Sequence, residues 1–572
     1  MDSGNIEALA FSLAVFSANF MLKVTPFSGF LAVFCGLNWL FCEDKTATRA
    51  NGWAIIAAIA LIVGPVGWFT LPYAVSFLLD SPFRLFPQAY TYMAFGGVVG
   101  LGAFVVWQRW LYPSLHELGH RFRRRSSSER NRRTDIRTIG DHLPKSHRGF
   151  DPRQHMPTDP RKNGVFIGLN ERNRPVLIPY ATWRKSHVQV IGSTGFGKGV
   201  SASVMLSQSL RAGEAVVVLD PKNDEWAPHV LRQEAQRAGV PFALVDLRDP
   251  APQLDLLAGM LPAELEELLI SGFSLSERGE AADFYRISDR RAARDASQLA
   301  GEVSSVAEMA AHALVRAWEE NASGFVGKID ELALVGAINA PGGLNLADVV
   351  RDGGCVYVIG SMRNQRIVTV QRMLLVRMLQ LVEQRDRVSG DIRPVRVFLD
   401  ELKYHLSRPA LEGLGAARDK GLSLIMAHQS LGDLRDCPAD LNPDSVEDAI
   451  IENCSIRVAY RVQSSDTAEW MAKRTGEILV DDEVRKIDRT AAGADLVGAE
   501  RTIRQATRYR VDVNMMLSLP SGVAVICGQD EPQFAHIAHI PAEKSPLELH
   551  RAPERATPVD AEPFGAMPNV DI

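Results

Sequence analysis

The stretch "VIGSTGFGKGVSASV", residues 190–204, decides how the chain is read. Gly192, Gly197 and Lys198 stand at the spacing G-x-x-x-x-G-K, with Ser193, Thr194, Gly195 and Phe196 filling the loop. In such a loop the backbone N–H groups and a helix N-terminus cradle phosphate oxygens, and the lysine reaches the β- and γ-phosphates. The next position should offer a hydroxyl to Mg²⁺, but it is Gly199. Ser201 is no substitute, since two positions along a helix differ by ~200° and face opposite ways. Ser203 faces correctly but sits one turn, ~5–6 Å, further off. Water fits that coordination position, because Mg²⁺ usually keeps several waters.

Outward from the loop, "HVQVIG", "AVVVLD", "FALVDL", "CVYVIGS", "VRVFLD", "LSLIMA" and "SIRVAYR" read as strands separated by amphipathic stretches. Unbroken β-branched runs suit parallel strands covered on both faces. The expected fold is a doubly wound α/β domain, with its ligand at the carboxyl ends of the strands. Between residues 257 and 345 the strands stop and helical periodicity takes over, with fourteen Asp and Glu against seven Lys and Arg. An acidic all-α insertion suits a basic protein partner better than a phosphate. An ordinary solvated helical face reads the same way.

Two further features belong with the loop. "VRVFLDE" ends a buried strand in Asp400, for Mg²⁺, and Glu401, to deprotonate the attacking water. The rival "VVVLDPK" offers Asp220, but Pro221 follows where the catalytic acid should stand. "LSLIMAHQ" ends in Gln429, whose amide can meet both the γ-phosphate and the water. Arg418, eleven residues earlier, closes a helix and can serve as an arginine finger for a neighbouring subunit.

The first 112 residues hold apolar runs at 6–22, 27–42, 53–79 and 89–110. A span takes ~20 apolar residues, so the last two qualify, and the first two fit either a hairpin or one broken span. Residues 121–137, "RFRRRSSSERNRRTDIR", carry eight arginines against two acids and mark the cytoplasmic side. A net charge of −5 argues against a protein that coats nucleic acid, although a local groove can still be basic. Six cysteines without a C-x-x-C pair fit a reducing compartment.

"HVQVIGSTGFGKG", "VVVLDPKND", the segment 395–434 from "VRVFLDELKYH" to "HQSLGDL", "IENCSIRVAYR" and "LSLPSGVAVI" occur in this order in the TraG/TraD family of type IV secretion coupling proteins. The resemblance spans roughly residues 185–530. It implies a RecA-like P-loop ATPase domain with an inserted all-α subdomain, preceded by N-terminal transmembrane helices. It also implies a multi-pass protein of the bacterial inner membrane whose ATPase domain is cytoplasmic and forms a homo-hexamer. ATP and Mg²⁺ would be the cofactors. The partners would be the relaxase and accessory proteins with single-stranded DNA, and the inner-membrane subunits of the secretion channel. The family motifs fall on Gly192, Gly195, Gly197, Lys198, Asp400, Glu401, Arg418 and Gln429. The apolar runs imply three or four spans where two are usual in the family.

The expected division is 1–112 transmembrane, 113–180 basic linker with short strands, 181–256 and 346–540 nucleotide-binding domain, 257–345 all-α insertion, and 541–572 disordered tail. A double-stranded DNA translocase of the chromosome-partitioning type and a docking receptor with little hydrolysis stand as alternatives. "LHELGHRF" contains an H-E-x-x-H zinc-protease pattern in His116, Glu117 and His120. A catalytic zinc needs a third ligand, and the position one turn on is Arg123.

Overall fold

The structure is a computed structural model that describes residues 3–42, 48–68, 70, 77, 88–115, 118, 143, 150–277, 283–386, 392–489, 495–528 and 530–552. It divides into two compact units, one from Met1–Asn131 and Leu479–Ala506, the other from Arg132–Ile478 and Thr507–Ile572.

In the second unit an eleven-stranded sheet forms the frame. Its strands in chain order are β1 (Val165–Leu169), β2 (Pro175–Ile178), β3 (His187–Ile191), β4 (Ala215–Asp220), β5 (Phe242–Asp246), β6 (Gly354–Ile359), β7 (Val395–Leu399), β8 (Leu422–His428), β9 (Cys454–Ala459), β12 (Val523–Cys527) and β13 (Gln533–His536). The remaining two, β10 (Glu477–Arg489) and β11 (Asp495–Tyr509), pair only with each other. The spatial order is β2-β1-β13-β12-β9-β3-β8-β7-β4-β6-β5. The seven strands from β9 to β5 are parallel, and the four beyond β9 join antiparallel.

Alternation along each central strand sends side chains to two separate cores. Val217, Leu219, Val397, Leu399, Leu424 and Met426 belong to the core shared with the helical insertion. Val216, Val218, Phe398, Ile425 and Ala427 face a second core, which holds Val204, Leu206 and Leu210 of the helix after β3. That two-sided burial is why the strands read as unbroken apolar runs. Among the described residues between β5 and β6 every regular element is a helix, from Pro262–Gly272 to Leu346–Asp352.

Several expected boundaries move. The two short strands expected before residue 180 are β1 and β2, but they extend the main sheet, and Phe150, Met156, Phe166 and Val176 pack in the second core, so residues 150–178 belong to the domain and not to a linker. Residues 541–552 are not a disordered tail. Ala542, Leu547 and Leu549 pack against the same core, and His550 N–H donates to the Leu244 carbonyl of edge strand β5 at 2.7 Å. This strap covers backbone groups that an edge strand otherwise leaves unpaired. Residues 553–572 lie outside the described residues.

In the first unit, α1 (Ser3–Leu40) runs without a break through both leading apolar runs, with Pro26 inside it. Among the described residues two helices are long and apolar enough to cross a membrane, Thr48–Val66 and Gln88–Leu115. The first begins with α2 (Thr48–Leu61) and the second with α3 (Gln88–Val106). A Cβ on Gly96 would stand 2.0 Å from the Pro26 carbonyl, and one on Gly100 2.7 Å from that of Phe30. Gly-x-x-x-Gly on α3 thus lets its backbone touch α1, the close approach that drives helix association in lipid. The arginine run at 121–137, and His116, Glu117 and His120, lie outside the described residues. The hairpin β10–β11 belongs to this first unit over 479–506, not to the nucleotide-binding domain where the sequence reading put it.

Candidate nucleotide site

The loop 192–197 leaves β3 and enters α4 (Lys198–Arg211) at the carboxyl end of the parallel strands. Gly197 has φ 120°, and a Cβ there would meet the Tyr460 ring at 3.0 Å, so only glycine fits. Tyr460 also backs Gly192, where a Cβ would lie 2.6 Å from its own. The loop is hung from its neighbours by backbone bonds. Gly192 N–H donates to the His428 carbonyl at 3.2 Å and Ser193 N–H to that of Arg461 at 2.9 Å. Gly522 N–H donates to the Phe196 carbonyl at 3.1 Å. Thr194 and Gly195 form its exposed tip.

Lys198 is buried, and its Nζ donates to the Gly192 carbonyl at 2.6 Å, folding back over the loop. Burial lowers its pKa, and the nearby Lys222 adds to this. Ser201 Oγ donates to the Lys198 carbonyl at 2.8 Å and is buried, so it stays with its own helix. At Gly199 a Cβ would find only Asp224 Oδ2, at 3.5 Å.

Asp400 and Glu401 follow β7, beside β8. Glu401 takes the left-handed conformation, φ 49°, which turns its side chain out of the strand course while keeping it 3% exposed. Gln429 at the end of β8 donates Nε2–H to Glu401 Oε1 at 2.9 Å. Its own N–H is held by Asp433 Oδ2 at 2.7 Å. Burial pushes the Asp400 carboxyl up to about 6, with the charges of Asp220 and Glu401 acting the same way against Lys222. For Glu401 burial also acts upward, but the bonds from Lys222 and Gln429 outweigh it and hold the carboxyl below its ordinary range.

Asp220 is fully engaged elsewhere. It accepts from the N–H groups of Lys222, Asn223 and Asp224 at 2.8, 3.0 and 2.6 Å and from the Tyr357 hydroxyl at 2.6 Å. Four donors on one carboxylate make it a loop fastener, whereas the charges of Glu401 and Asp400 act on Lys198 and oppose the fall in its pKa. Among the described residues no three His, Cys, Asp or Glu side chains cluster closely enough to chelate a metal. Mg²⁺ fits here nonetheless, because it is commonly held by one or two carboxylates plus phosphate oxygens.

Arg418 is not part of this assembly within one chain. It ends the helix α6 (Arg408–Asp419), next to the start of β8, whereas Gln429 follows the end of that strand. Seven residues of strand put ~20 Å between them. The sequence reading missed Lys222 and Asp433. Lys222 sits in the "DPKND" stretch, two residues beyond Asp220.

The family model for the TraM recognition site of TraD and TraG matches residues 394–516, which include Asp400, Glu401, Arg418 and Gln429. Mobilization protein A of Escherichia coli is 35% identical over 370 residues, 64% of this chain and 68% of that protein. The chain belongs to the TraG/TraD family of coupling proteins. The unbound monoclinic form of the bacterial conjugative coupling protein TrwBdeltaN70 is similar in fold. It is 15% identical, with a TM-score of 0.50, over 71% of this chain and 97% of that one. This coupling protein of conjugation thus has the P-loop NTPase fold of its type IV secretion relatives, with an all-α insertion and apolar N-terminal helices.

Proposed function

We propose that this coupling protein is an inner-membrane ATPase that takes relaxase-bound single-stranded DNA and drives it into a type IV secretion channel. The observation that carries the reading is the convergence of Lys198, Asp400, Glu401 and Gln429 at the carboxyl ends of three adjacent parallel strands. The loop from Gly192 to Gly199 binds the phosphates of ATP, and Lys198 exchanges the Gly192 carbonyl for the β- and γ-oxygens. Asp400 holds Mg²⁺, which when bound neutralises charge on the transferring phosphoryl group. Gln429 orients the water, and Glu401, whose Oε1 is already bonded to Gln429, takes the proton on its second oxygen.

Arg418, ~20 Å from its own site by strand length, completes the site of a neighbouring subunit in a homo-hexamer. The two apolar helices anchor the ring in the membrane beside the inner-membrane channel subunits, with the ATPase domain in the cytoplasm. The acidic helical insertion receives a basic surface of the relaxase or its accessory proteins. Lys198→Ala should abolish DNA transfer from donor cells while membrane insertion stays intact. Transfer at the normal frequency by that variant would end the ATPase reading.

A further inference from the structure

A cation reaches the catalytic carboxylates from the loop between β4 and the helix α5 (Ala227–Ala238) that follows it. Lys222 Nζ is in contact with Glu401 Oε1 and lies 3.5 Å from Asp400 Oδ2. The backbone that presents it is fixed. Asp220 takes three successive N–H groups from residues 222 to 224, and Asn223 adopts φ 61°. Asp224 Oδ1 then accepts from Trp226 and Ala227 N–H, each at 2.8 Å, at the start of α5. Beyond it, Lys544 of the carboxyl-terminal strap sits 3.9 Å over the Trp226 ring. A loop bonded at so many points does not leave the position of Lys222 to chance.

We propose that Lys222 and the divalent cation are alternative counter-charges for the Asp400–Glu401 pair, so that Lys222 sets how tightly this site takes its metal. The inference rests on the reading of Asp400 as the metal ligand. A cation on Asp400 would share that carboxylate with an ammonium a few ångströms away, where like charges repel strongly in a half-buried site. Lysine suits an exchange of this kind. Its charge is compact and sits on a flexible four-carbon stem, so it can swing clear while the loop backbone stays bonded. Lys198, by contrast, is tied to the phosphate loop itself. The two lysines therefore divide the work, one meeting phosphate and one yielding to metal.

The test is Mn²⁺ binding, followed by electron paramagnetic resonance, to the full-length protein in detergent with a non-hydrolysable ATP analogue. Lys222→Met should tighten Mn²⁺ binding by roughly tenfold or more, the size of effect a neighbouring like charge has on a charged site. Lys222→Arg, which keeps the charge, should stay near the wild type, and Asp400→Asn should weaken binding. Nucleotide affinity in EDTA reports folding, and Lys222→Gln replaces the methionine variant if that one fails to fold. Unchanged or weaker Mn²⁺ binding in Lys222→Met, with Asp400→Asn weakened, overturns this proposal alone. Equal tightening in Lys222→Arg overturns it as well. Wild-type Mn²⁺ binding in Asp400→Asn removes the metal reading of Asp400 and the proposal with it.

Discussion

Gln429 donates its side-chain N–H to Oε1 of Glu401 at 2.9 Å, tying the end of β8 to the end of β7. The bond fixes where the Glu401 carboxylate points. Gln429→Ala should lower kcat on the order of 10²-fold, as loss of a preorganised donor does in other enzymes. The Kd for ATP should barely move. Steady-state turnover with equilibrium nucleotide binding checks this, and a large loss of affinity with normal kcat would contradict it.

Gly199 has room for a side chain, since a Cβ there touches nothing closer than Asp224 Oδ2 at 3.5 Å. Gly199→Thr should restore a hydroxyl ligand and lower the Mg²⁺ concentration for half-maximal turnover. A gain of ~1 kcal/mol, the worth of one good polar contact, corresponds to about fivefold. Ser201→Ala should leave that concentration unchanged, because Ser201 Oγ is bonded to the Lys198 carbonyl. A Mg²⁺ titration of the three proteins decides the matter.

Glu234 joins residue 153 to the nucleotide-binding domain. It is completely buried and accepts from Arg153 Nε and Arg211 Nη2, both at 2.9 Å. Glu234→Ala removes the buried charge and leaves partly exposed arginines that reach water, so it should destabilise the second unit by ~1–3 kcal/mol. Chemical denaturation followed through Trp183, which is buried beside Arg396 in this unit, reports the loss.

His187 is buried and neutral. Its Nδ1 accepts from Leu424 N–H and its Nε2 lies 2.9 Å from the Leu414 carbonyl. Burial lowers its pKa to about 4, helped by the charges of Arg396 and Arg418 and opposed by the Leu414 carbonyl. The unfolded chain takes up this proton near pH 6.5. The contribution to stability is therefore whole above that pH and is lost as pH falls toward 4. His187→Asn should be less stable at pH 7.5 but should lose less of its Tm between pH 6.5 and 4.5. Parallel slopes for the two proteins would show that His187 does not bear this load.

The parts of the fold legible in the sequence are those whose signal is local. The phosphate loop, the runs ending in Asp400 and Gln429, and the helical insertion each announce themselves within a dozen residues. What stayed hidden depends on distant pairing. Lys222 reads as an ordinary turn lysine until β4 and β7 are known to be neighbours. Glu477–Arg489 carries charges on most of its positions and lacks the alternation of a half-buried strand, because it pairs with a single partner. The strap 541–552 is Pro-rich and polar, and only Ala542, Leu547 and Leu549 anchor it. The gap between the first two apolar runs fits a hairpin or a broken span, yet α1 continues through it with Pro26 inside the helix. Neighbouring helices in lipid can tolerate a proline in this way.

The proposed function stands or falls with Glu401 as the base of an ATPase built on this loop. Glu401→Gln in the full-length protein, with ATP turnover and ATP binding measured side by side in the presence of single-stranded DNA, decides it. The variant should bind ATP with Mg²⁺ as tightly as the wild type, while hydrolysis falls to background. Hydrolysis at the wild-type rate in Glu401→Gln would contradict it.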